Sequence, residues 1–200
     1  MRERVDEDLA PNGPRRLASY LTQYKGASYE PIVEARPYAV TEEDLDALGL
    51  LNVGVLEPQR SWILGEGRLR IAGLLKEIPT DKCLEDLPRE EFDAHLGNRS
   101  PAWELWQLLR DQLRGGPSAR KGYTVTAGKI LFGKRPSLLP LYDSITSRTL
   151  HFSYATVWEK YWFALQDEDL RVKLERLRVQ TPDSTDRSLV RIIDILGWMA

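Results

Sequence analysis

Asp143 has the setting in this 200-residue chain that best suits chemistry. It stands directly before Ser144-Ile145-Thr146, at a helix start, where the helix dipole and free N–H groups keep a carboxylate ionised. Such a carboxylate can activate a water or stabilise a cationic transition state, as the carboxylates of glycosidases do. The same place suits a plain N-cap of the helix that follows, and both roles stay open. Around it lies an excess of positive charge. Arg110, Arg114, Arg120, Lys121, Lys129, Lys134, Arg135 and Arg148 face only Asp111 and Asp143 between residues 110 and 148, a balance of +6 in a chain of net charge -2. A local excess of this kind is the electrostatic footprint of a polyanion site. Lys121, Lys129, Lys134 and Arg135 are the expected phosphate contacts, with a solvated charged face as the plain alternative.

Other reactive residue types carry less. Cys83, His95 and His151 are too few and too irregularly spaced for zinc, so no metal and no cofactor is expected. Cys83 reads as a structural thiol, since no motif surrounds it as a nucleophile. No glycine-rich phosphate loop and no Gly-x-Ser-x-Gly elbow occurs, which leaves nucleotide and serine hydrolysis without support. Trp158, Tyr161 and Trp162 could stack on bases, but aromatics at helical spacing belong more often to a core, and Trp103 and Trp106 read the same way.

The elements that must position these residues read as helices. Residues 1–16, with Pro11, Gly13 and Pro14, form a flexible lead-in, and residues 17–200 form a single helical domain. A short helix over 17–24 ends at Gly26. Residues 31–40 alone have some strand character, shortened by Pro31 and Pro37. Thr41, with Asp44 three residues on, opens a helix through a capping box. A further helix covers 62–78 and stops at Pro79. Ser100-Pro101 starts another, with a capping hydroxyl followed by proline in the first turn, and Gly115-Gly116-Pro117 breaks it. Helices over 125–131, 144–162, 169–178 and 185–199 complete an all-α, compact bundle.

The composition, 42% hydrophobic and 29% charged, is that of an ordinary globular protein. One cysteine cannot form an internal disulfide, and neither a signal peptide nor an 18-residue apolar run is present. A cytoplasmic protein with no membrane partner is the expectation.

The stretch Gly122 to Leu150 resembles the core of helix-hairpin-helix DNA glycosylases. Thr124-Val125-Thr126-Ala127 matches the start of the phosphate-gripping helix, Asp143 lies sixteen residues after Ala127, and Arg148 five beyond that. The resemblance implies a divergent helix-hairpin-helix glycosylase-like core that binds duplex DNA. Lys121, Gly122, Thr124, Thr126, Lys129, Lys134, Arg135 and Arg148 would hold nucleic acid, and Asp143 would serve as catalytic carboxylate beside the sugar of a flipped nucleotide. Val125 stands where lyase-competent members carry a lysine, which implies monofunctional base excision if the protein is an enzyme. Lys121 and Tyr123 replace the hairpin glycines, and Ser144-Ile145 replaces Thr-His. The whole chain also resembles a bacterial domain family of unknown function, through Thr41-Glu42-Glu43-Asp44-Leu45, Ile78-Pro79-Thr80-Asp81, Ser100-Pro101-Ala102-Trp103-Glu104-Leu105-Trp106 and Lys134-Arg135-Pro136. Two alternatives stand beside DNA-glycosylase-like function: a non-catalytic regulatory or defence-related DNA binder, and a helical protein-interaction domain whose basic segment faces an acidic partner.

Overall fold

Thr41 opens its helix by the reciprocal pairing that its spacing from Asp44 predicts. The Asp44 amide donates to Thr41 Oγ1 at 3.4 Å, and the Thr41 amide donates to Asp44 Oδ2 at 2.7 Å. Two otherwise orphaned donors of the first turn are satisfied this way. Ser100 Oγ accepts from the Trp103 amide at 3.2 Å, so Ser100-Pro101 also starts a helix as expected. Asp143, Asp167 and Ser188 cap three more helices through their side chains.

The computed structural model describes residues 12–114 and 122–200, together with Glu3 and Val5. Every regular element among the described residues is helical, so the protein is all-α. The α-helices are α1 (Gly13–Gln23), α2 (Tyr29–Glu34), α3 (Glu42–Ala47), α4 (Glu57–Leu64), α5 (Arg68–Glu77), α6 (Arg89–Leu96), α7 (Pro101–Arg114), α8 (Gly122–Lys134), α9 (Ser144–Thr149), α10 (Val157–Leu165), α11 (Glu168–Gln180) and α12 (Leu189–Met199). Short 3₁₀ turns lie at Lys25–Ser28, Leu48–Leu51 and Leu84–Asp86. No helix among the described residues is long and apolar enough to cross a membrane.

Several boundaries differ from the sequence expectation, each for a local reason. Residues 13–16 belong to α1 rather than to a flexible lead-in, because Pro14 sits in the first turn where its missing N–H costs nothing; Val5 is buried. Strand character over 31–40 gives way to α2, where Pro31 is tolerated in the first turn of a short helix. The helix over 62–78 is two helices. At Gly67 a Cβ would fall 2.4 Å from the Trp62 ring, so only glycine lets the chain turn there. The helix over 144–162 is also two, parted where His151 adopts φ 54°. Helix α6 has no counterpart in the sequence reading. The breaker Gly115-Gly116-Pro117 lies outside the described residues.

The residues gather into two compact units, where the sequence points to one domain over 17–200. One unit takes residues 28–81 and 88–135, which hold α2 to α8. In it α8 packs along α7 and α2, and α5 packs on α7. Ala127, Ile130, Leu131 and Phe132 of α8 are all buried, as suits a helix that is apolar nearly all round. Tyr29 stacks on Phe132 with ring centroids 6.3 Å apart and donates from its hydroxyl to Lys129 O at 2.8 Å. At Gly133 a Cβ would lie 2.6 Å from Tyr29 Oη, so glycine allows α2 to approach this close.

The other unit takes residues 1–27, 82–87 and 136–200. Helix α12 is its spine: every residue from Leu189 to Gly197 is buried, and α1, α9, α11 and the Leu84–Asp86 turn pack on it. The buried Asp194 carboxylate accepts from Tyr161 Oη at 2.7 Å and from the Leu141 amide at 2.8 Å. Both oxygens are thereby occupied, which is what a buried carboxylate requires. Burial and the adjoining Asp194 hold the Tyr161 phenol well above its usual range. Trp162 donates from its indole to Leu87 O at 2.8 Å, so Tyr161 and Trp162 belong to the core rather than to a stacking surface.

Candidate functional site

The cations expected on phosphate are mostly interior. Lys129, Lys134 and Arg135 are buried, and so is Thr126. Lys129 Nζ donates to Leu51 O at 2.8 Å. Lys134 Nζ donates to Val33 O at 2.8 Å, to Arg36 O at 3.2 Å and to Asp44 Oδ2 at 2.6 Å. Burial lowers the Lys134 pKa, and the hydrogen bond to Asp44 opposes that shift. Arg135 donates to Ile78 O at 2.9 Å, Pro37 O at 2.8 Å, Lys134 O at 2.6 Å and Leu75 O, and it lies under the Tyr38 ring. Burial brings its pKa down to about 10.

These contacts replace the expected phosphates with carbonyls of the same unit. Lys129, Lys134 and Arg135 hold the fold together from inside, and none presents its charge to a duplex. Thr124 is half-buried on α8, which begins at Gly122, and Lys121 lies outside the described residues. Gly122 to Arg135 belongs to one unit and Pro136 to Arg148 to the other.

Asp143 is the N-cap of α9. Its Oδ1 accepts from the Ile145 amide at 2.6 Å and from the Thr146 amide at 3.2 Å. Arg148 is exposed and donates back to Ser144 O at 3.1 Å. Beside them, the half-buried Tyr142 ring meets Tyr154 edge-on at 6.4 Å, and Tyr154 is exposed. The cap occupies Oδ1 of Asp143, and among the described residues no hydrogen bond reaches Oδ2.

A different place in the same unit has the features of a ligand site. A cleft of 960 Å³ runs between the Cys83–Asp86 segment and the outer side of α11. Glu85, 9% exposed, forms part of its wall, and its Oε2 is buried without a hydrogen-bond partner among the described residues. Arg178, also in the wall, has a buried Nε without one. Burial holds the Glu85 carboxyl above the usual carboxylate range, and the neighbouring Asp86 adds to this, while its own amide, Arg171 and Arg178 pull the other way. Two side-chain ion pairs line the cleft: Arg171 to Asp86 at 3.0 Å and Arg178 to Glu175 at 2.5 Å. Burial, with Glu85 and Asp86, pushes the Cys83 thiol up, which makes it a slow nucleophile.

A family model, that of a family of unknown function designated DUF6308, matches residues 14–200. The chain belongs to this family. No curated protein and no solved structure matches it, so the glycosylase likeness of residues 121–150 gains no support from known proteins. Membership in DUF6308 names no activity, which leaves the geometry of the cleft and of the Asp143 edge to argue from. Sequence spacing missed Glu85 and Arg178 because they lie far apart along the chain. The one local signal was the acidic pair Glu85-Asp86 beside the single cysteine.

Proposed function

We propose that the protein is a ligand-binding domain whose site is the cleft between Cys83–Asp86 and α11. The observation that carries this reading is the pair of orphaned atoms in the cleft wall, Glu85 Oε2 and Arg178 Nε. Buried polar atoms without partners are rare and costly, on the order of 1–3 kcal/mol each. A buried carboxylate with a raised pKa in a concave site is also a recurrent mark of function. Val172, Val179 and Leu189 add apolar surface to the same wall.

Nucleic-acid binding, with base excision as its enzymatic form, rests on the Asp143 edge instead. The Oδ2 of Asp143, which the cap does not use, the exposed Arg148 and the rings of Tyr142 and Tyr154 favour it. Aromatic rings stack on unpaired bases, and a carboxylate can serve a sugar cation.

Thermal melting separates the two. A panel of small polar metabolites, with duplex and single-stranded DNA at low salt as further arms, is expected to contain small molecules that raise the melting temperature. A ligand at a hundredfold its Kd stabilises by about 2.7 kcal/mol. Stabilisation by DNA alone, fading with salt, would move the function to the Asp143 edge.

A further inference from the structure

The two orphaned atoms of the cleft are of opposite hydrogen-bonding kind. Glu85 Oε2 is an acceptor on an acid, and Arg178 Nε is a donor on a permanent cation. A purely anionic ligand would answer Arg178 and leave a buried carboxylate beside a second negative charge. A purely cationic ligand would answer Glu85 and repel Arg178. A molecule that carries an ammonium and a carboxylate close together answers both.

Of the three arginines in the wall, Arg171, Arg176 and Arg178, the last is the one with a buried nitrogen that lacks a partner, whereas Arg176 is exposed. Arg171 is bound to Asp86, which comes from the opposite side of the cleft. Arg178 is instead held by Glu175 from its own helix, an i,i+3 pair whose side chains are 28% and 47% exposed. Exposed pairs of this kind contribute about 0–1 kcal/mol, so a ligand carboxylate can take the place of Glu175 at little cost. Arg178 NH1 keeps its bond to Arg187 O at 3.3 Å, which leaves the guanidinium anchored while the other edge is exchanged. Glu175, on NH2, thus stands where the ligand carboxylate would go, beside the unpartnered Nε of the same guanidinium. Val172 and Val179, seven residues apart on α11 and 51% and 69% exposed, give the same face an apolar strip on which a side chain can rest.

We propose that the cleft takes a zwitterion of the α-amino-acid class, with its carboxylate on Arg178 in place of Glu175 and its ammonium on Glu85. This rests on the ligand-binding reading of the cleft given above.

Cys83 is the single cysteine of the chain and lines the cleft, so its slow alkylation by excess N-ethylmaleimide, through the small thiolate fraction it keeps, reports occupancy beside the melting temperature. The probes are the twenty common α-amino acids singly, and acetate, methylammonium and acetamide as fragments that carry one half or neither charge. On wild-type protein, one or more amino acids should slow alkylation and raise the melting temperature, and the fragments should do neither at equal concentration. Glu85→Gln and Arg178→Lys should each weaken that amino acid by about ten- to a hundredfold, the effect of losing one charged hydrogen bond. Glu175→Gln should tighten it a few-fold, because the internal competitor is gone. That rise separates a ligand exchange at Arg178 from a merely structural role of the α11 charges, which would give no gain. Protection by a fragment without protection by any amino acid would overturn the zwitterion while the ligand cleft stands. No protection by any probe would overturn both. A Glu175→Gln variant that binds the amino acid more weakly would also overturn the proposed exchange.

Discussion

Asp44→Ala is expected to destabilise the protein by about 3–5 kcal/mol, because it strips the counter-charge from a lysine that water cannot reach. Lys134 and Asp44 are 1% and 7% exposed and 2.6 Å apart. Asp44 Oδ2 also holds the Thr41 amide, so one oxygen serves both the start of α3 and the end of α8. The substitution leaves an ammonium with only the Val33 and Arg36 carbonyls and removes half of a capping box. Urea unfolding monitored by circular dichroism measures the effect. A loss below about 1 kcal/mol, the size of a surface pair, would mean that the ion pair is not the buried support described above.

Arg135→Ala should cost a comparable amount, about 3 kcal/mol or more, for a different reason. Its guanidinium has no carboxylate partner and instead satisfies four main-chain carbonyls, those of Leu75, Ile78, Pro37 and Lys134. Leu75 and Ile78 lie at the end of α5, where helix carbonyls have no partner of their own. Arg135→Lys keeps the charge but cannot reproduce the planar fork, so it should recover only part of the stability. Full recovery by lysine would show that charge, rather than the geometry of the donors, is what the site needs.

These two residues show where sequence reasoning about charge stopped working. A run of Lys129, Lys134 and Arg135 has the density of a phosphate-binding face, and density does not distinguish surface from interior. The missing signal was the helix that carries them. Residues 122–134 are apolar on nearly every side, with Ile130, Leu131 and Phe132 adjoining Lys129, and cations on such a helix are drawn inside with it. Each then needs a carbonyl or carboxylate from elsewhere in the chain, and the positions of Leu51, Leu75 and Val33 cannot be read from residues 122–135.

Local chemistry was more legible. Thr41 with Asp44, Ser100 with Pro101, the stop at Pro79 and the cap at Asp143 each follow from neighbours within a few residues, and each stands in the structure as expected. Breaks that depend on packing were not. Gly67 lies unmarked inside the helix read over 62–78 until the Trp62 ring is placed against it, and His151 gives no warning of its left-handed backbone. The cleft was hidden for the same reason, since Glu85 and Arg178 meet only once α11 is folded beside the Leu84–Asp86 turn.

On the ligand-binding proposal, Glu85 is kept in the cleft wall for a ligand and not for the fold. Its folded pKa is raised above the unfolded value, so its contribution to stability is fully present below the usual carboxylate range and is lost as pH rises through the folded value. Glu85→Gln keeps the shape and removes the charge. Unfolding free energies of the wild type and this variant, measured from acid to neutral pH, test the claim directly. The variant should match or exceed the wild type at neutral pH and should lack that component of the fall in stability with rising pH. A loss of more than about 1 kcal/mol at neutral pH, the worth of an ordinary hydrogen bond, would make Glu85 a structural partner and contradict the account.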